Sequence, residues 1–285
     1  MQVSQYKELA YHDHLSHGHT YCQLTSEQAA TRTFTIRQIL QRFICNYFPA
    51  SDKSKESDRK YLDRTLQSAI KFADKHNVLP ISHFYLLAKI HKTPLTTRPI
   101  VSVSGSLLFG LGKWVDFKLQ ELIRLFPTRF PYYISSSTHL VNKLHNLNLP
   151  QSVKLCSADA VSMYTNIETG HALSELKSFF QSFPNDSIHE GLLHGIEIIM
   201  RHCLFYFDNK VWAQLSGTAM GAPPAPMYAT FYFAIKEATM IQKYSDSIIF
   251  YGRFIDDTIL IVNQEKFTPS IYQQLQNDFN SFGKL

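Results

Sequence analysis

The 285 residues carry 28 Lys and Arg against 23 Asp and Glu, a formal charge of +5, with 18% charged and 13% aromatic residues. That balance argues against a disordered chain and supplies enough apolar surface for one large or two small domains. The four cysteines, at 22, 45, 156 and 203, form no CxxC pair, so no zinc cluster is indicated and buried free thiols in a reducing compartment are expected.

No apolar leader and no run of about eighteen apolar residues occurs, which predicts neither a secretory signal nor a membrane span and points to an intracellular protein. The modest basicity fits a nucleic-acid partner without requiring one.

Residues 1–24 read as loosely structured. His12, His14, His17 and His19 invite a metal reading, but beside Asp13 alone they read better as surface histidines. A helix is predicted over 26–48, capped by Ser26 and ended by Pro49, with Ile36, Ile39, Leu40, Phe43, Ile44 and Phe48 on one stripe. A polar linker spans 50–60, and a second helix follows over about 58–76, with Leu62, Leu66, Ala69, Ile70 and Ala73 inward. Lys55, Arg59, Lys60 and Arg64 on this second segment either touch a nucleic-acid backbone or form a solvated face.

Residues 81–92 alternate as a strand, placing Phe84, Leu86, Ala88 and Ile90 on one face and Tyr85, Leu87, Lys89 and His91 on the other. After a loop at 93–97, Arg98 leads a second strand over 99–103. Such a basic hairpin can offer Arg98 as a bidentate phosphate ligand and Lys89 as a point charge. An amphipathic helix is predicted over 107–126, with Leu108, Leu111, Val115, Leu119, Leu122 and Phe126 on its apolar face, and a short helix over 139–147. Further on come helices over 171–183 and from Asn185-Asp186-Ser187 to about His202. A hairpin of 203–207 and 211–214 turns at Asp208-Asn209. A helix over 225–244 carries the stripe Met227, Phe231, Ala234, Ile235, Ala238 and Ile241. The last helix, over 268–282, is capped by Thr268 or Ser270.

The chain is organised around residues 251–262, YGRFIDDTILIV. Two β-branched and aromatic runs flank Asp256-Asp257, which reads as the tip of a hairpin. Adjacent ionised carboxylates repel, and a hydrated divalent cation would relieve that repulsion; an ordinary Asp-rich turn is the alternative. Residues 155–159 form another strand ending in a carboxylate, Asp159. A two-ion site needs such an extra oxygen ligand beside the hairpin.

With these residues in view, the chain resembles the reverse transcriptases, specifically the catalytic domain of Penelope-like retroelements. Phe254-Ile255-Asp256-Asp257 stands where the family has its aromatic-x-Asp-Asp box, and Asp159 where it has the isolated aspartate. Tyr164 stands in the place of the aromatic steric gate, and residues 217–226, GTAMGAPPAP, resemble the glycine and proline box. Residues 85–92 and 98–102 match two finger segments. Ala225 stands where close relatives have serine.

The resemblance, which covers about residues 80–285, implies an α/β (α+β) architecture, the fingers and palm of a right-hand polymerase with an antiparallel palm sheet packed on helices. It implies an N-terminal helical extension at 1–57, fingers and first palm helix at 58–150, and palm at 151–285, with the thumb missing. It implies RNA-directed DNA synthesis with two Mg²⁺ ions, or Mn²⁺, on Asp159, Asp256 and Asp257. Lys89, Arg98, Ala160 and Tyr164 would bind the deoxynucleoside triphosphate, and Gly217, Met220, Gly221 and Pro223 would lie against an RNA template with its DNA primer. A nuclear location in a eukaryotic host goes with it. An RNA-dependent RNA polymerase, or a crippled fragment that only binds nucleic acid, are the alternatives.

Overall fold

The computed structural model describes residues 2–16, 18–160, 163–184 and 187–281. His17, Asn185 and Asp186, which figured in the sequence reading, lie outside the described residues, as does Phe282.

In chain order the elements are α1 (Val3–Ala10), a π-helical turn (Tyr11–Leu15), β1 (Tyr21–Leu24), α2 (Ser26–Tyr47), α3 (Glu56–His76), β2 (Ser82–Lys89), β3 (Thr96–Ser102) and α4 (Phe109–Leu125). Then come α5 (Ser137–His145), β4 (Val153–Asp159), α6 (Met163–Asn166), α7 (Thr169–Phe180), α8 (Ser187–Arg201), β5 (Leu204–Phe207) and β6 (Lys210–Gln214). The last are α9 (Ala225–Gln242), β7 (Ile248–Phe254), β8 (Asp257–Asn263) and α10 (Pro269–Asn280). The chain divides into two compact units, each made of two segments: residues 1–118 with 168–225, and residues 119–167 with 226–285.

The first unit holds a five-stranded sheet of order β1-β6-β5-β2-β3. Its pairs are antiparallel except β2 with β5, which run parallel from Ser82↔Phe205. The β5–β6 turn places Asp208 and Asn209 at φ +50° and +56°, the two left-handed positions of a two-residue hairpin that these residue types tolerate best. Phe84 and Phe205 stack in the core, and Trp114 meets Phe43 and Phe48 on the helical side. The inward stripe of α3 is the predicted one, Leu62, Leu66, Ala69, Ile70 and Ala73.

The described residues before α2 are not loose. Tyr6 Oη accepts the Leu86 backbone N–H at 2.7 Å, a donor on the side of β2 away from β3, and Lys7 pairs with Asp208. Tertiary anchors, rather than an apolar stripe, order α1. Thr25 caps α2 by accepting the Gln28 N–H, and its own N–H donates back to Gln28 Oε1; Ser26, the expected cap, is already the first helical residue. The 50–60 stretch is shorter as a linker than expected, because Asp52 caps a single 3-10 turn and α3 begins at Glu56. Lys60 and Lys55 are paired with Glu56 and Asp52 on their own elements. The cysteines are free, but Cys203 alone is buried and Cys45 is exposed, against the expectation of buried thiols.

The second unit holds a three-stranded antiparallel sheet, β4-β8-β7. Residues 132–134 add a short edge: the Arg253 N–H donates to Tyr132 O and the Ile134 N–H to Arg253 O, both at 2.8 Å. Gly252 allows this approach, since a Cβ there would lie 3.1 Å from the Ile134 side chain. Below the sheet, Tyr251, Leu260 and Val262 pack with Met240, Ile241, Leu275 and Phe279. Thr268 caps α10 by accepting the Ile271 N–H. Along α9 the predicted stripe holds at Met227, Phe231, Ala234 and Ile241, but Ala238 is exposed and Glu237 points inward. Among the described residues no helix is long and apolar enough to cross a membrane.

Candidate active site

β4 and β8 pair so that Asp159 stands directly opposite Asp257. Cross-strand Cα atoms in such a ladder lie about 4.5–5.5 Å apart, so carboxylates 98 positions apart in sequence reach the same end of one sheet. The Ala160 N–H donates to Asp256 O at 3.1 Å, closing the end of β4 onto the turn. Thr258 Oγ1 donates to Ala158 O at 3.0 Å one step behind. Tyr164, on α6, is half-buried, and its hydroxyl is pushed up to about 12 by burial first and by the charge of Asp256 second.

The turn itself differs from the expected Asp-Asp tip. Ile255 and Asp256 form the two-residue loop, and Asp257 is the first residue of β8. Ile255 has φ +56°, whereas Asp256 is not in the left-handed region. This is the pattern of a II′ turn, whose first central position glycine normally takes. A β-branched residue there is a genuine outlier, costing on the order of 1–3 kcal/mol unless its surroundings hold it.

Arg253 and Glu237, which sequence reasoning did not single out, do the holding. They are 2% and 1% exposed. Arg253 Nε and Nη2 donate to the two oxygens of Glu237 at 2.5 and 3.0 Å, and Nη2 also donates to Thr230 O at 3.2 Å. Nη1 donates to Ile255 O at 2.9 Å, the carbonyl of the strained residue. Tyr251 Oη donates to Glu237, and the guanidinium lies over the Phe233 ring. Burial and the Glu237 charge push the Tyr251 hydroxyl far above its ordinary range. The signal in the sequence was a charge inside an otherwise apolar strand and another inside an apolar helix; only their pairing was unreadable.

The carboxylates suit a hard cation. Their donors are oxygens only, and the Asp257 carboxyl is pushed above its ordinary value by desolvation, then by Asp256 and by Asp159. Negative charge is thus gathered at one sheet end. Among the described residues no group of three or more His, Cys, Asp and Glu, the three aspartates included, is placed to hold a metal ion by itself. Magnesium does not need one, since it usually takes one or two carboxylates and fills its octahedron with water and substrate phosphates. The N-terminal histidines have other contacts: His12 bonds Asp13 and His14 bonds Thr97.

The remaining predicted residues belong to the first unit. Leu87 pairs with Arg98 and Lys89 with Thr96, so Lys89 and Arg98 lie diagonally on one face of the β2–β3 hairpin. Arg98 is exposed and Lys89 partly buried. The glycine and proline box seats against β3, where the Val101 N–H donates to Met220 O at 2.6 Å. Gly221, at φ +109°, must be glycine, because a Cβ would meet Val101 O at 2.6 Å. Gly217 is also left-handed, at φ +73°, and Pro223 packs beside Gly112.

No model of a known protein family matches the chain, and no curated protein does. Solved structures do match. A telomerase from Candida tropicalis in complex with a TWJ fragment of telomeric RNA has a TM-score of 0.54 at 10% identity, covering 72% of this chain and 39% of that one. The Candida albicans telomerase with its TWJ fragment gives 0.52 at 11%, covering 72% and 41%. An insertion-loop deletion mutant of a human picobirnavirus RNA-dependent RNA polymerase gives 0.52 at 10%, covering 72% and 40%. The chain spans about two fifths of the length of these proteins. Their shared architecture, a mixed α/β arrangement of fingers and palm, is the fold of this chain: that of a nucleic-acid polymerase domain.

Proposed function

We propose that the chain is the catalytic region of an RNA-directed DNA polymerase of a retroelement, transferring deoxynucleotides to a primer 3′-hydroxyl. The observation that carries this reading is the register of Asp159 against Asp257 beside the strained turn at Asp256. A polymerase fold supports it, and so does the sequence resemblance to reverse transcriptases.

Asp159, Asp256 and Asp257 would hold two divalent ions of the Mg²⁺ type. Bound there, such ions supply activation of the attacking hydroxyl and neutralisation of the leaving group. The protein's own part is placement. The β4–β8 ladder fixes the spacing of the carboxylates, and the Ala160 bond to Asp256 O ties the end of β4 to the turn. The Tyr164 ring is a wall for the sugar, too bulky to leave room for a 2′-hydroxyl. Arg98 and Lys89 are assigned to the triphosphate on the resemblance, as cations suited to phosphate oxygens. Gly217, Met220, Gly221 and Pro223 are assigned to the primer and template on the same ground.

Primer extension on an RNA template tests the reading. With deoxynucleotides and Mg²⁺ the chain should extend a DNA primer, and Asp159→Asn should lower the rate by roughly 10³-fold while leaving the fold intact. Extension with ribonucleotides in preference to deoxynucleotides would replace this reading with an RNA polymerase. Binding without any extension would leave a nucleic-acid-binding module.

A further inference from the structure

The buried ion pair makes more contacts than packing requires. Glu237 on α9 fixes the Arg253 fork on two nitrogens, Thr230 O takes a second bond from one of them, and the remaining terminal nitrogen reaches forward to Ile255 O. Burying two charges is costly, and a well-packed apolar pair of similar volume often serves stability as well or better. An apolar pair could not, however, hold a carbonyl two residues ahead in a turn that its own residue resists. The backbone of Arg253 is fixed on one side by residues 132–134 and on the other by β8 at Thr258. The guanidinium therefore reaches the turn from a rigid base.

We propose that Arg253 is a positioning residue for the carboxylate turn: locked by Glu237, it holds the Ile255 carbonyl and so sets the orientation of Asp256 and Asp257. This rests on the reading of those carboxylates as metal ligands. The line of constraint runs from α9 through Glu237 and Arg253 to Ile255 and then to Asp256. Arginine is required because one rigid fork must serve the carboxylate and the turn together; lysine offers a single centre and cannot span both in fixed geometry.

The test separates positioning from stability. A triple variant, Tyr251→Phe, Glu237→Leu and Arg253→Met, replaces the polar cluster with apolar side chains and should keep its cooperative thermal unfolding. Its amide exchange at residues 254–258 should nevertheless accelerate by about tenfold, as expected for a turn released to local opening. Mn²⁺ affinity, read by electron paramagnetic resonance without nucleic acid, should fall by about the same factor. Ile255→Gly placed on the triple variant should recover part of both losses, because glycine adopts the positive φ without help. Arg253→Lys alone, which keeps the pair with Glu237, should move both readouts in the same direction by a smaller factor.

If the triple variant does not fold, Arg253→Lys decides. A folded variant whose turn exchanges within about twofold of the parent, with Mn²⁺ affinity unchanged, overturns the proposal. If the parent extends no primer, exchange at the turn still decides the role of Arg253. Extension by the triple variant at the parent's rate refutes the positioning role and leaves the polymerase reading standing.

Discussion

Two hairpins carry four of the candidate site residues, Lys89 and Arg98 on one and Asp256 and Asp257 on the other, and they are built in opposite ways. The β2–β3 hairpin of the first unit runs out into solvent: Ile90 is 88% exposed and Leu95 45%, and Arg98 lies on an exposed face. The β7–β8 hairpin of the second unit has its turn tied down by a guanidinium that is itself almost wholly buried. The first presents charge on long, adaptable side chains. The second fixes short carboxylates through backbone register and a clamp. The difference follows from what each must do under the proposed function. A flexible cation can follow a mobile polyphosphate, whereas ligands to a pair of ions must be placed before the ions arrive.

The sharpest way to break the contrast is to remove the arginine from each hairpin. Arg253→Met should destabilise the fold by about 3–5 kcal/mol, because Glu237 is left buried and unpaired. Arg98→Met should change stability by no more than about 0.5 kcal/mol, as a surface substitution. Denaturant titration of both variants checks this. Similar losses in the two would show that the hairpins are not held differently.

A second prediction tests what the rigid region selects. Tyr164→Ala should reduce discrimination against ribonucleotides by roughly 10²-fold, measured as the ratio of kcat/KM for the two sugars, since a wall is removed rather than a charge. Discrimination that stays at the parent's value would place the sugar filter elsewhere.

The smallest effect lies in the first unit, where Lys7 holds the Asp208 carboxyl below its ordinary value by a side-chain hydrogen bond, with Tyr11 adding a second. A carboxylate depressed in the folded state stabilises above its unfolded pKa, and that contribution is lost as pH falls through the folded one. Asp208→Asn keeps a residue that tolerates the left-handed turn. It should slightly speed amide exchange over residues 3–10 at neutral pH, and the difference should vanish below the ordinary carboxylate range. A difference that persists in acid would mean that the ion pair is not what anchors α1.

The sequence made the second unit's site legible because short-range signals agreed. The apolar run 258–262, the β-branched and aromatic run before Asp256 and a lone aspartate closing 155–159 mark a hairpin and a third strand ending in an acid; the pairing of the strands, and the shift of the turn from Asp256-Asp257 to Ile255-Asp256, were left to find. The inward stripe of α3 was readable for the same reason, since one period covers the whole helix. What was hidden depended on partners far away in the chain. α1 is only eight residues long, and it is ordered by the bond of its Tyr6 to β2 and the pairing of its Lys7 with the β5–β6 turn. Glu237 displaced the expected Ala238 from the inward face because Arg253, sixteen positions on, was there to receive it. The parallel pairing of β2 with β5 was equally invisible, because no local pattern records which strand a hairpin edge will meet.

The account stands on three carboxylates acting together as one cation site. Mn²⁺ titration of the parent, Asp159→Asn and Asp257→Asn by electron paramagnetic resonance tests it directly. The expected result is saturable binding in the parent, weakened by about tenfold or more in each variant, although the two residues lie on different strands. Equal affinity in all three proteins would contradict the assignment of this sheet end as the metal site.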